Sequence, residues 1–435
     1  MIKRISLLLG IFSIITCSLH GMDNDTIVNI DNGKSIYIPH DLRKMNLNTN
    51  DSTWSFKRMK LTPNFVIFWQ KGFGDDLKKA PNLDGHPMQV DIDNLAEKLE
   101  MYYQVFRDSM KFTKPGSKSD KLRMMVMLNY SLEGTAYGGD YDGQIGALWI
   151  APNRIQDKKL NCIAHELGHS FQSQISCDGE GVAWGGSGFF EMTSQWMLWN
   201  VNADWLKDEQ YHWDAFKKLT HKAYLDMENI YHSPYVIEYW SEKHGMSLIA
   251  ELFRQGKVNE DPVITYKRIT GISQLQFCDE MFKACCHIVN LDYKHAYKET
   301  RSFANNYDDP MPAADKNGWK TIPCNRCPEE YGFSIIPISP YKIGKKVILE
   351  FEGLSIPGYH NMKYEDMGWR YGFVAITATG DAIYSDMCNA SRGKIIFKAP
   401  RDTKNLWLVV MGAPRNHEKL KGNNFQFPYK IKVNN

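Results

Sequence analysis

The segment Asn161–Gln172, NCIAHELGHSFQ, constrains this chain more than any other. It sets His165 and His169 four residues apart, puts Glu166 after the first, and surrounds them with Leu160, Ile163, Ala164, Leu167 and Phe171. On a helix, residues i and i+4 share a face. Both imidazoles then point one way while the apolar residues point another. Such a helix needs a core behind it and a cleft in front. Gly168, lacking a side chain, lets another backbone or a substrate approach. Two imidazoles on one face can share a metal, and zinc takes neutral nitrogen donors while a catalytic site keeps its fourth position for water. Glu166 lies about 100° further round the helix. It is too far round to ligate but near enough to hydrogen-bond that water, as general base and later as acid. A helix with two solvated histidines and a salt-bridged glutamate would match the same spacing, so a third ligand decides the matter.

Glu191, in GSGFFEMTSQW, opens a new helix after Gly188, 22 residues beyond His169. Asp178 and Glu180 compete, but they sit in the turn SCDGEG, where a ligand is held less firmly. Gln195 follows Glu191 by one turn and is placed to hold it or a ligand histidine, the support that metal ligands need. Trp184, Phe189, Phe190 and Trp196 flank Glu191, as core or as an apolar wall.

The rest of the 435 residues divides by periodicity. Lys3 and Arg4 precede the apolar run ISLLLGIFSIITC, about 13 residues, too short for a membrane span of roughly 20 and matched to a signal peptide. Residues 1–21 are read as that leader, and the protein as exported. IITC, ending at Cys17, is similar to a bacterial lipobox, with Thr16 where a smaller residue is usual. Lipidation at Cys17 places the protein at the cell surface or in the periplasm, and ordinary cleavage makes it secreted. A lipid at Cys17 is the one membrane attachment expected. Residues 22–60, polar and rich in Asn and Asp, read as a linker with short strands such as SIYIP. FVIFWQKG and LRMMVMLNY read as buried strands. DIDNLAEKLEMYYQVFRDSM is helical in period, with Leu95, Leu99, Tyr102, Tyr103 and Phe106 on one face. YGGDYDG reads as a Gly-rich turn before the strand GALWIAPNRI. Residues 189 to about 300 are mostly helical in pattern, and the proline-rich stretch 306–330 reads as a linker. From 331 to 435, seven short β-rich runs separated by turns point to a β-sandwich. The fold class is therefore α+β: a domain at 61–305 with a small sheet and a helical subdomain, then an all-β sandwich.

Composition narrows function. Net charge is +2, with 23% charged and 43% hydrophobic residues, so there is no electrostatic case for nucleic acid. No helix-turn-helix, P-loop or dinucleotide fingerprint is present. Eight cysteines remain beyond Cys17. Cys162 and Cys177, at the two ends of one helix, lie roughly 20 Å apart and cannot bond. Cys324 and Cys327 form a lone CxxC with no second pair for a zinc ribbon, hence a local disulfide or two free thiols.

HELGH followed by Glu191 resembles the gluzincin arrangement, two histidines and a carboxylate from the next helix; Gln172 and Ile175 stand where a metzincin has Gly and His. FVIFW, a long helix and a strand before the HELGH helix resemble the zincin peptidase domain, and residues 60 to 435 together are similar to a family of secreted bacterial gluzincin-like proteins. The resemblance implies zinc on His165, His169 and Glu191, a zincin-like fold, and an edge strand at Gly146, Ala147, Leu148 and Trp149 that pairs with extended substrate. SPYVIEYWSEKHG resembles a Tyr-containing gluzincin helix, which implies Tyr235 or His232 as the oxyanion partner; core packing is the competing reading for Tyr235. The implied activity is zinc-dependent hydrolysis of peptide bonds. Two rivals stay open: a non-catalytic peptide- or glycan-binding surface protein on a peptidase fold, and a peptidase acting on glycopeptides. Under the latter the sandwich binds glycan through Trp369, Tyr371 and Trp407. An intact Glu166 speaks against mere binding.

Overall fold

The computed structural model describes residues 26–181, 184, 188–307, 311–339, 344–419 and 424–434. The leader and Cys17 lie outside them. A small ladder, β1 (Ile27–Val28) with β2 (Ile36–Tyr37), precedes a five-stranded sheet. That sheet comprises β3 (Met59–Leu61), β4 (Phe65–Trp69), β5 (Met124–Leu128), β6 (Ala136–Tyr141) and β7 (Ile145–Ile150), in the order β3-β4-β5-β7-β6. The central strands β4, β5 and β7 run parallel, and β3 and β6 close the edges antiparallel. Every residue of β4 and β5 is buried, as their unbroken apolar runs require of strands covered on both faces.

The sequence reading put the substrate-facing edge at Gly146–Trp149. The structure corrects this, since β7 lies between β5 and β6 and has no free edge. The edge is β6, inside the segment taken for a turn. Only its last residues turn: Asp142 and Gly143, both at positive φ (53° and 64°), close a tight β6–β7 hairpin of the Asp-Gly kind.

Helix α1 (Ile92–Gln104) starts where the Asp91 side chain accepts from the Asn94 amide. Helix α2 (Asn161–Cys177) carries HELGH across the sheet. Ser170 Oγ donates to the Ala147 carbonyl at 2.7 Å, and Gln174 Oε1 accepts from the Gly146 amide at 2.8 Å. A Cβ on Gly146 would come within 2.8 Å of the Ser170 carbonyl oxygen, so the glycine sets how closely α2 can lie. Among the described residues, five helices of eight residues or more follow α3 (Phe189–Val201): α4 (Tyr211–Leu219), α5 (Tyr235–His244), α6 (Ser247–Gln255), α7 (Pro262–Thr270) and α8 (Gln274–Asn290). Ser273 and Gln276 form a capping box at the start of α8.

Residues 26–60 hold the expected short strands, β2 lying within SIYIP, but they do not hang free as a linker. Ile36, Tyr37, Ile38, Leu42, Leu47 and Trp54 are buried in the same core as the five-stranded sheet. The C-terminal region holds two four-stranded sheets. One pairs β8 (Lys320–Thr321), β10 (Lys346–Gly353), β13 (Arg392–Lys398) and β15 (Tyr429–Asn434); the other pairs β9 (Phe333–Pro337), β11 (Trp369–Thr377), β12 (Ala382–Tyr384) and β14 (Thr403–Gly412). The first of these strands, β8, falls within the stretch read as linker.

All nine residues of β11 are buried. Trp369, Tyr371, Phe373 and Ala375 face the other sheet, packing in one core with Phe351 and Leu408. Val374 and Ile376, with Trp407, Val409 and Met411, join the main core that also holds Phe277, Met281 and Cys285 of α8. The arrangement is helix on sheet on sheet. Trp369, Tyr371 and Trp407 are 1%, 0% and 6% exposed, so none offers a ring to a sugar; they are core. Cys162, Cys177, Cys324 and Cys327 are free thiols. Among the described residues, no helix is long and apolar enough to cross a membrane.

Candidate metal centre

Helices α2 and α3 are held side by side at both ends. Gln172 Nε2 donates to the Phe190 carbonyl (3.0 Å) and to Ser194 Oγ (3.1 Å), and Asn202 Nδ2 donates to Asn161 Oδ1 (2.7 Å). Midway, Gly168 fits against Ser194, whose Oγ would lie 2.8 Å from an added Cβ. This close contact brings Glu191, in the first turn of α3, opposite both histidines. His165 Nε2 and His169 Nε2 each lie 3.1 Å from the same oxygen, Glu191 Oε2. The three side chains offer donor atoms all within 4.8 Å of one another.

The donor chemistry fits a cation. Gln172 spends its amide nitrogen on Phe190 and Ser194, so its Oε1 faces His169 Nδ1 at 3.1 Å and must accept a proton from it. Gln195 Oε1 accepts from His165 Nδ1 at 2.9 Å, while its own Nε2 is buried with no partner among the described residues. With each Nδ1 donating, each neutral imidazole turns a bare Nε2 lone pair toward a carboxylate. Lone pairs and negative charge converging on one point need a positive charge between them. Two atoms bound to zinc at 2.0–2.1 Å with tetrahedral angles stand about 3.3 Å apart, close to the 3.1 Å found between each imidazole and Glu191. Without an ion, protons on the imidazoles meet the same need, and this shows in the pKa values. Burial opposes ionisation of Glu191, but hydrogen bonds and charge from His165 and His169 win and hold its carboxyl far below the usual range. Burial likewise opposes the charged form of His169, and the bond to Glu191 and its charge outweigh it and raise that pKa.

Glu166 lies outside this triangle. Its Oε2 accepts from the Gly138 amide of β6 at 2.9 Å. A Cβ on Gly138 would meet the Glu166 carbonyl oxygen at 1.8 Å, so the strand reaches the helix here only because residue 138 is glycine. Glu166 therefore stands between the histidines and the free edge of the sheet. Asp178 and Glu180 are engaged elsewhere, with the Lys118 amide and with Arg254 and Lys114.

The oxyanion candidates fall differently. Tyr235 is fully buried, enclosed by Trp199, Trp213, Phe216 and Tyr293, and its hydroxyl has no partner among the described residues. A ring sealed in the core cannot meet a substrate, so Tyr235 is packing. His232 spends Nδ1 on His212 Nδ1 at 2.7 Å and is a strut. The phenol at the site is Tyr231, which the sequence reading missed. Its ring centroid lies 6.1 Å from that of His165, and it is 45% exposed. Burial, then the charge of Glu191 and a hydrogen bond to it, push its pKa up to about 12. No periodicity marks Tyr231, although it lies next to His232. Gln172 was missed as a support for His169, although it lies one turn on. Trp184, Phe189 and Trp196 are core.

No curated protein matches the chain. Among solved structures, it is similar to the M60 catalytic domain with the CBM51-1 and CBM51-2 domains from Clostridium perfringens ZmpB, at 12% identity and a TM-score of 0.29. That similarity covers 87% of this chain and 59% of the other, and is too loose to bear on the site. A family model does match, over residues 28–435, and the chain belongs to that family, the family of unknown function DUF6055.

Proposed function

We propose that the protein is an exported zinc-dependent hydrolase that cleaves peptide bonds. The observation that carries this is the convergence of His165 Nε2, His169 Nε2 and Glu191 Oε2 with Glu166 one residue along the same helix. His165, His169 and Glu191 would hold the ion, with Gln195 and Gln172 fixing the two rings. Zinc in such a site supplies Lewis acidity toward a carbonyl oxygen and lowers the pKa of water toward about 7. Glu166 takes the proton of the attacking water and delivers it to the leaving amine. Tyr231, protonated at neutral pH, donates its hydroxyl to the oxyanion. The free edge of β6 pairs with an extended substrate backbone, and Gly138 and Gly139 leave that edge without bulk.

One observation favours a glycopeptide substrate within this reading. Tyr137 on β6 is 57% exposed and lies against Trp149, which in turn packs on Tyr141, an aromatic patch on the face of the edge strand turned away from α2. Sugar rings stack on such patches.

Zinc content and cleavage decide the matter together. Residues 22–435, and the Glu166→Gln form, are to be assayed for zinc per chain and incubated with peptide and glycopeptide libraries read by mass spectrometry. One zinc in both, with cleavage by the unsubstituted chain alone, is the expected result. Zinc without cleavage in either sinks the catalytic reading in favour of a binding role.

A further inference from the structure

Tyr231 sits in a segment without regular structure, residues 220–232 between α4 and α5, yet a catalytic phenol must be held still. The segment is fixed by a neighbour far along the chain. The Phe333 amide donates to the Thr220 carbonyl (2.8 Å), the Glu329 amide to the His221 carbonyl (2.8 Å), and the Tyr224 amide to the Glu330 carbonyl (3.1 Å). The Glu329 carboxylate accepts from the Ala223 amide at 2.9 Å, and Arg326 donates to the Lys218 carbonyl. This is a ladder in all but name, made by the residues that lead into β9. It is also tight: a Cβ on Gly332 would meet the His221 carbonyl oxygen at 2.2 Å and that of Lys222 at 2.6 Å. Tyr331, beside it, holds a left-handed backbone (φ 60°), costly for a residue other than glycine. Its buried hydroxyl accepts from Gln274 Nε2 of α8 (3.0 Å) and bonds His417 (2.9 Å), which keep the turn in place.

The far end of the segment is pinned at the metal helix. Gly188, at the start of α3, has Ile230 so close that an added Cβ would fall 2.0 Å from its Cγ2. His232, the next residue but one, bonds His212. Tyr231 lies between these two anchors, on the Glu191 side.

We infer that the entry segment of the sandwich, residues 326–333, is a clamp that positions Tyr231 at the metal centre. The inference rests on the reading of Tyr231 as the oxyanion donor. The sandwich is then part of the active-site machinery, and Gly332, Glu329 and Arg326 are positioning residues that act through the loop without touching substrate.

The test is a cycle of Gly332→Val, Tyr231→Phe and the pair together in the full zinc-loaded chain, with hydrogen exchange of 220–232 measured also on the metal-free protein. Arg326→Ala with Glu329→Ala replaces Gly332→Val if that variant does not fold. The clamp predicts faster exchange in 220–232 with α2 and α3 unchanged. It also predicts a kcat lowered about as far as in Tyr231→Phe, on the order of 10²-fold for one oxyanion donor, with KM and zinc content unchanged. The paired variant should be no slower than the worse single one. A loop that stays protected in Gly332→Val, or losses that multiply in the pair, overturn the clamp and leave the role of Tyr231 standing. Full kcat in Tyr231→Phe overturns the oxyanion reading, and the inference with it.

Discussion

Two His–His–Glu clusters lie within about seventy residues of each other, and they do opposite things. His165, His169 and Glu191 converge on a point, with both Nδ1 atoms spent on amide oxygens and both Nε2 atoms aimed at Glu191. Glu209, His212 and His232 form a line: Glu209 Oε2 to His212 Nε2 at 3.3 Å, then His212 Nδ1 to His232 Nδ1 at 2.7 Å. In the line each contact already holds a proton, and Glu209 also accepts from Trp205 Nε1 at 2.9 Å. Residue types do not make a metal site. What matters is which nitrogens the surroundings have already used.

The largest expected effect tests that contrast directly. His165→Ala or Glu191→Ala should remove zinc and all cleavage, whereas His212→Ala should keep one zinc per chain, both read by elemental analysis of the purified proteins. Zinc lost from His212→Ala would break the comparison. Next, Glu166→Gln should keep its zinc and lose about 10²–10⁴-fold in kcat, the usual range for a positioned base; an unchanged rate would remove Glu166 from the chemistry. Gln195→Ala should weaken zinc binding by about 10–100-fold, as loss of a ring-orienting partner does, measured by competition with a chelator. Affinity equal to that of the unsubstituted protein would mean that the Gln195 contact to His165 does nothing for the metal.

The smallest effect concerns acid. His232 is depressed to about 4 by burial and then by the charge of His212, and His221 to about 4 by burial and then by Arg326 and Lys222. Both folded values lie below the ordinary 6.5 of the unfolded chain, so between pH 6.5 and 4 the unfolded state binds more protons. Stability is full above pH 6.5 and falls as pH drops through that window. His232 is partly open to solvent, which keeps its share small. A melting temperature lower at pH 5 than at pH 7, with a gap narrowed in His221→Gln/His232→Gln, is the expected result; an equal gap in both proteins would rule out these two histidines as its source.

Legibility followed locality. His165, Glu166 and His169 share one helix, and Gln195 follows Glu191 by one turn, so spacing alone could place them. The edge strand was hidden because Gly138 and Gly139 erase the alternation that marks a strand; the cause, a helix carbonyl against Gly138, lies 28 residues away. Tyr231 was hidden for a related reason. Its place is set by Gly188 before it and by residues 326–333 about a hundred positions after it, and no short window contains both. Tyr235 drew the oxyanion role because its helix pattern is regular, and that regularity is what buries it. In the sandwich, seven of eight strands were legible from their apolar runs. The missed one, β8, has two residues and no pattern to read.

Strand β11, buried on both faces of the second sheet, bears on how such a chain can be dismantled. Val374, Ile376, Trp407 and Val409 would be stripped of their helical cover if the sandwich were expressed alone, and α8 would lose the surface it rests on if the chain ended before β9. Neither half is a cassette that could be moved between proteins by recombination. Any rearrangement of this architecture must carry both halves together, and a protease nick in the connecting stretch should leave the two fragments associated.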